Sequence, residues 1–150
     1  MALDWALASA HHLAVFGLVA ILACEIALTA RGVDAVATGR IARVDAWFGI
    51  AAAAVVAAGV ARVFLGDKGP AYYGANSLFW AKMAVFALVG MLSILPTLQF
   101  LRWRREGRAD PTFRPDPRAL ASVRRFLFIE AALVALLPIL AAGMARGFGS

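Results

Sequence analysis

Four apolar runs divide the chain, at residues 5–30, 46–65, 78–101 and 121–145, with short polar stretches between them. Each approaches or exceeds the roughly 20 residues that a helix needs to cross a hydrocarbon core of about 30 Å. None alternates apolar with polar positions, and all are rich in Ala and Leu, so the pattern predicts helices rather than strands. Helices also satisfy their own backbone N–H and C=O groups, which lipid cannot do for them. The predicted architecture is all-α: a four-helix integral membrane bundle forming a single transmembrane domain over residues 1–150. The helices are expected at about 5–30, 46–65, 78–101 and 117–145. The fourth starts ahead of its apolar run because Asp116-Pro117 supplies an N-cap and a first-turn proline. Asn76 or Ser77 can cap the third. The stretch "RADPTFRPDP" is too proline-rich for a helix and reads as an extended connector. The first run does not read as a signal peptide, since Asp4 rather than a basic segment precedes it and the run is too long.

The polar stretches set an orientation. "RGVDAVATGRIARVD" carries Arg31, Arg40 and Arg43, and "RWRREGRADPTFRPDPRALASVRR" carries eight arginines. The segment ahead of the first helix has no basic residue, and "GDKGPAYYGANS" has only Lys68. Lys and Arg stay on the cytoplasmic side, so both termini are expected outside. Trp5, Tyr72, Tyr73 and Trp80 then form an outer interfacial belt, and Trp47 with Trp103 an inner one. The second helix, "GIAAAAVVAAG", is nearly all small residues, which lets neighbouring helices approach closely.

Composition agrees with this picture. Of 150 residues, 63% are hydrophobic and 16% charged, with mean hydropathy +0.79. The net charge of +6 does not mark a nucleic-acid partner, because the arginines flank apolar runs and form no basic face interleaved with aromatics. The expected surroundings are membrane lipid, in the inner membrane of a bacterium, with another membrane protein or a second copy as a further partner. The single cysteine, Cys24, lies within an apolar run and supports no disulfide framework.

The chemistry lies in the polar residues inside those runs. Counting from the expected surfaces, His11, His12, Arg62 and Lys82 fall in the outer half, and Glu25, Gln99 and Glu130 in the inner half, near Asp45. Arg62 and Lys82 can snorkel to headgroups. Glu25 and Glu130 can pair with Arg31 and Arg125 near the inner surface. The histidines lie deeper, where ionisable groups are candidates for function. Successive helical positions point roughly 100° apart, so the two rings cannot share one role. His11 lies within roughly 40° of the face of Glu25 but almost four turns away. His12 shares its stripe with Phe16, Val19 and Ala23, an apolar wall suited to a flat hydrophobic cofactor.

The segments "AHHLAVFG", "RVDAWFGIAA", "GVARVFLGDKGPAYY", "FWAKMAVFALVGMLS" and "PTLQFLRWRR" together resemble a family of small four-helix bacterial membrane proteins known only as a domain of unknown function. More distantly, the arrangement is similar to the membrane protoporphyrinogen oxidase family and to copper-resistance membrane domains. In the oxidase family a His-Leu in the first helix and a lysine in the third are functional, and haem b is bound. His12-Leu13 and Lys82 match those positions. Trp80 stands where that family often has another histidine, which counts against porphyrinogen oxidation.

The expected function is therefore haem b binding, in electron transfer or a related oxidoreductase role. His12 would be the axial metal ligand and His11 a supporting or alternative one, with Lys82 and Arg62 holding the propionates. The competing expectation is a non-catalytic accessory subunit that docks on a larger membrane complex through the second helix. A copper-handling or transport role finds neither a Met-rich ligand cluster nor paired broken helices.

Overall fold

The computed structural model describes residues 1–30 and 32–149. Five helices follow in order: α1 (Ala2–Ala30), α2 (Ala35–Leu65), α3 (Gly69–Ala75), α4 (Ser77–Ala109) and α5 (Pro117–Ala145). Four of them are long and apolar enough to cross a membrane. There is no strand among the described residues. Both α1 and α4 pack against α2 and α5, so α1 faces α4 across the diagonal of a four-helix bundle. One end of the bundle carries both termini and α3; the other carries the arginine-rich connections.

Two helices run further than their apolar cores. The α2 helix starts at Ala35, because Asp34 Oδ1 accepts a hydrogen bond from the Ala37 N–H at 2.8 Å and so caps it. Its first turns are amphipathic: Thr38, Ile41, Ala42 and Asp45 are buried while Arg40 and Arg43 face out. The α4 helix continues to Ala109, stabilised at its exposed end by an i,i+4 pair in which Arg102 Nε donates to Glu106 Oε1 at 2.9 Å. Trp103 lies on this extension and is buried against Phe100, so it is a core residue and not part of an inner interfacial belt. Tyr73, expected in the outer belt, is also buried, because the Lys68 linker folds into α3 and turns that ring inward. Asn76 caps α4 through Leu78 and Phe79, and Asp116 caps α5 through Arg118 and Ala119. Residues 110–116, within the proline-rich connector, form no helix.

Polarity is inverted relative to a water-soluble bundle. Phe16, Ile50, Leu98 and Ile139 point outward, whereas Glu25, Asp45 and Glu130 lie in the interior. Lipid solvates the first group, and the interior is the only place where the second can meet other polar groups.

Packing is uneven along the bundle axis. Among the described residues, the buried positions on the long helices stop short of the terminal end: Leu18 to Thr29 on α1, Thr38 to Val55 on α2, Val89 to Trp103 on α4 and Val123 to Val134 on α5. Gly107 helps close that end. A Cβ there would stand 2.7 Å from Thr38 Oγ1 and 2.9 Å from the Ala35 carbonyl oxygen, so α2 and α4 meet as closely as they do only over a glycine. On the long helices, nothing within 2–17, 56–65, 77–88 or 135–145 is fully buried. At that end, polar contacts at the rim tie the elements together. The Met1 amine lies 3.3 Å from Asp67 Oδ2, Tyr72 donates to the Met144 carbonyl, and Asn76 Nδ2 donates to the Phe148 carbonyl at 3.0 Å.

Candidate functional site

The terminal end, where the long helices carry no fully buried residue, holds His11, Arg62 and Lys82. Their positions follow from helix geometry. On α1, His11 continues the face that carries Leu18, Leu22 and Glu25 deeper in the bundle, at spacings of seven, four and three residues. Its ring stands against Gly59 of α2, where a Cβ would lie 3.4 Å from Cε1 and 3.6 Å from Nδ1. The absent side chain gives the imidazole its place. The backbone of Val55, one turn earlier on α2, also faces the ring. Arg62 of α2 and Lys82 of α4 lie within electrostatic reach of His11 and of each other. Three separate helices thus bring three basic groups together.

This cluster is incompletely satisfied. His11 Nδ1 and Arg62 Nε are buried and have no hydrogen-bond partner. Among the described residues, neither Arg62 nor Lys82 forms an ion pair. Arg62 and Lys82, of like sign and half-buried without a counter-ion among the described residues, form an arrangement that an anion would stabilise.

His12 faces the other way. It is exposed, and so are its stripe-mates Phe16 and Val19, at 68% and 44%. The apolar wall read from the sequence is therefore a lipid-facing surface. His12 Nδ1 donates to the Ala8 carbonyl at 2.6 Å, which fixes the tautomer and leaves Nε2 bare on that surface. The two rings stand edge to face, 6.2 Å apart between centroids.

A second polar layer lies in the tightly packed half. Glu25 and Glu130 are each 1% exposed, and Asp45 is 6% exposed. Glu25 lies within electrostatic reach of both other carboxyls. Thr97 Oγ1 donates to Asp45 Oδ1, whereas Glu25 Oε1 and Glu130 Oε1 have no partner. Glu130 forms no ion pair with Arg125, which is exposed. The expected pairing of Glu25 with Arg31 falls on a residue outside those described. Arg124 turns inward instead. Its Nη1 donates to the Ile26 carbonyl and to Thr29 Oγ1 at 3.3 and 3.4 Å. The sequence marked Glu25, Asp45 and Glu130 as polar residues at similar depth. It could not show that all three share the interior, because helix rotation is set by packing. Among the described residues, no three His, Cys, Asp or Glu side chains are arranged to hold a metal ion.

Comparison with known proteins returns one result. The chain belongs to the DUF2214 family, described as predicted membrane proteins, whose profile matches residues 3–149. No curated protein matches it, and no solved structure does.

Proposed function

We propose that the half of the bundle carrying the termini binds haem b, in electron transfer or a related oxidoreductase role. The observation that supports this reading is the meeting of His11, Arg62 and Lys82 where the long helices leave no residue fully buried. The orphaned His11 Nδ1 and Arg62 Nε ask for two different partners, a Lewis acid and an anion. A haem offers both, iron for an imidazole nitrogen and carboxylates for cations. In this arrangement His11 holds the iron, and Arg62 and Lys82 hold the propionates. His12, with Nε2 free on the lipid face, is the alternative ligand for a haem lying outside the bundle or between two copies. Bound haem supplies a one-electron couple. The chain's own residues bind it, orient it and exclude water from one side. The proposed setting is the bacterial inner membrane with both termini outside, on the strength of the arginine asymmetry.

The test is the visible spectrum of protein purified after expression with a haem precursor. A haem band is expected, lost in His11→Ala and weakened in Lys82→Met, with membrane insertion unchanged. Changing a group that only supports a metal ligand typically costs ten- to a hundredfold in affinity. Loss in His12→Ala but not in His11→Ala would move the iron to the lipid-facing surface. No band in the unmodified protein would reject haem. That result would leave the accessory-subunit reading, for which α2 offers Ala53, Ala54 and Ala57 on its exposed face as a close-packing surface.

A further inference from the structure

The carboxyl layer of the tightly packed half plays no part in that reading. Its geometry is unlike that of a structural ion-pair network. Each glutamate is almost fully enclosed, each has an oxygen with no donor, and the nearest ionisable neighbours are other carboxyls. Carboxylates of like charge cannot share an apolar interior without a cation to offset them. Among the described residues, the surrounding elements pair none with them. On α1 the neighbouring polar group is Thr29. On α2, Arg40 and Arg43 face outward. On α4, Thr97 is committed to Asp45 and Arg102 to Glu106, with Gln99 half-buried. On α5, Arg125 is exposed, and Arg124 reaches the Ile26 carbonyl and Thr29 Oγ1 and forms no ion pair with a described carboxyl. A divalent ion is poorly served, since no set of three ligands among the described residues converges. The cation that fits without a coordination shell is the proton.

We propose that Glu25, Asp45 and Glu130 form a proton-binding site within the membrane. Loading transfers a proton from a hydronium ion to a glutamate oxygen and releases water; unloading is the reverse. Apolar side chains enclose the layer on both sides: Leu18, Leu22, Phe48, Val89 and Val134 towards the termini, and Ile41, Phe100, Val123 and Leu127 towards the arginine-rich end.

Infrared spectroscopy of the whole protein in lipid nanodiscs tests this directly. A protonated carboxyl whose C=O accepts no hydrogen bond absorbs at the high-frequency edge of the carboxylic acid region and shifts down in D2O. The unmodified protein is expected to show such a band, and Glu25→Gln and Glu130→Gln each to reduce it, with the double variant losing it. Absence of the band in the unmodified protein overturns the site, and this outcome does not depend on whether any variant folds. Removal of the band by added sodium overturns it in favour of a metal cation.

Discussion

Thr97 Oγ1 on α4 donates a hydrogen bond of 2.8 Å to Asp45 Oδ1 on α2, joining two helices through the one carboxyl of the inner layer that has a side-chain donor among the described residues. Removing the hydroxyl leaves a buried acceptor unmet, a cost of about 1–3 kcal/mol. Thr97→Val should lower stability by that order in a denaturant titration in detergent. Asp45→Asn keeps an acceptor for the threonine and should lose less. Equal losses would show that the bond contributes nothing specific.

Gly107 allows α2 and α4 to meet at the arginine-rich end, since a Cβ there would press on Thr38 Oγ1 and the Ala35 backbone. Overpacking of this kind costs roughly 1–3 kcal/mol. Gly107→Ala should therefore destabilise, although alanine is the better helix former. At Gly17 an added Cβ meets nothing, so Gly17→Ala should be neutral or stabilising by up to about 1 kcal/mol. A thermal melt of the two variants side by side decides the matter; a gain at position 107 would contradict the close approach.

The orientation rests on arginine placement and can be read with an impermeant thiol reagent. In a background lacking Cys24, cysteines at positions 68 and 110 should label differently in intact spheroplasts, with position 68 reactive and position 110 protected. Labelling at 110 alone inverts the topology.

Asp110 ends α4 in the polar connector. The Thr112 side chain and backbone N–H both donate to it, at 2.7 and 2.8 Å, and hold its carboxyl below the usual aspartate range. A depressed value means that the turn is favoured above the ordinary aspartate pKa and loosens as pH falls through the lowered one. Thr112→Ala should move the Asp110 midpoint upward in a carbon-13 titration. An unchanged midpoint would mean that the hydrogen bonds are not populated in solution.

The four membrane helices were legible because lipid imposes a length and a composition that few other settings share. The caps at Asn76 and Asp116 were legible for a local reason, since an N-cap is a property of two or three neighbouring residues. The early start of α2 and the late end of α4 were not, because there the helix is amphipathic and a count of consecutive apolar residues stops too soon. Trp103 shows the same effect: on sequence an interfacial marker beside arginines, in the fold a ring packed on Phe100. The grouping of His11, Arg62 and Lys82 at one depth followed from counting along antiparallel helices. Which histidine points inward did not, since adjacent positions differ by a rotation that only packing fixes. A helical register read from Leu18, Leu22 and Glu25 would have favoured His11, but in a membrane protein an apolar stripe fits the lipid face as well as the core.

The uneven packing along the bundle has a consequence for how this chain tolerates change. Assembly draws on the middle and the arginine-rich end of the bundle, where the enclosed side chains interlock, while the basic cluster sits where few such contacts are at stake. Substitutions around the cluster can therefore alter what is bound there at little cost to folding. Variation at the opposite end is constrained by fit, residue against residue. A scaffold divided in this way separates keeping its shape from changing its task.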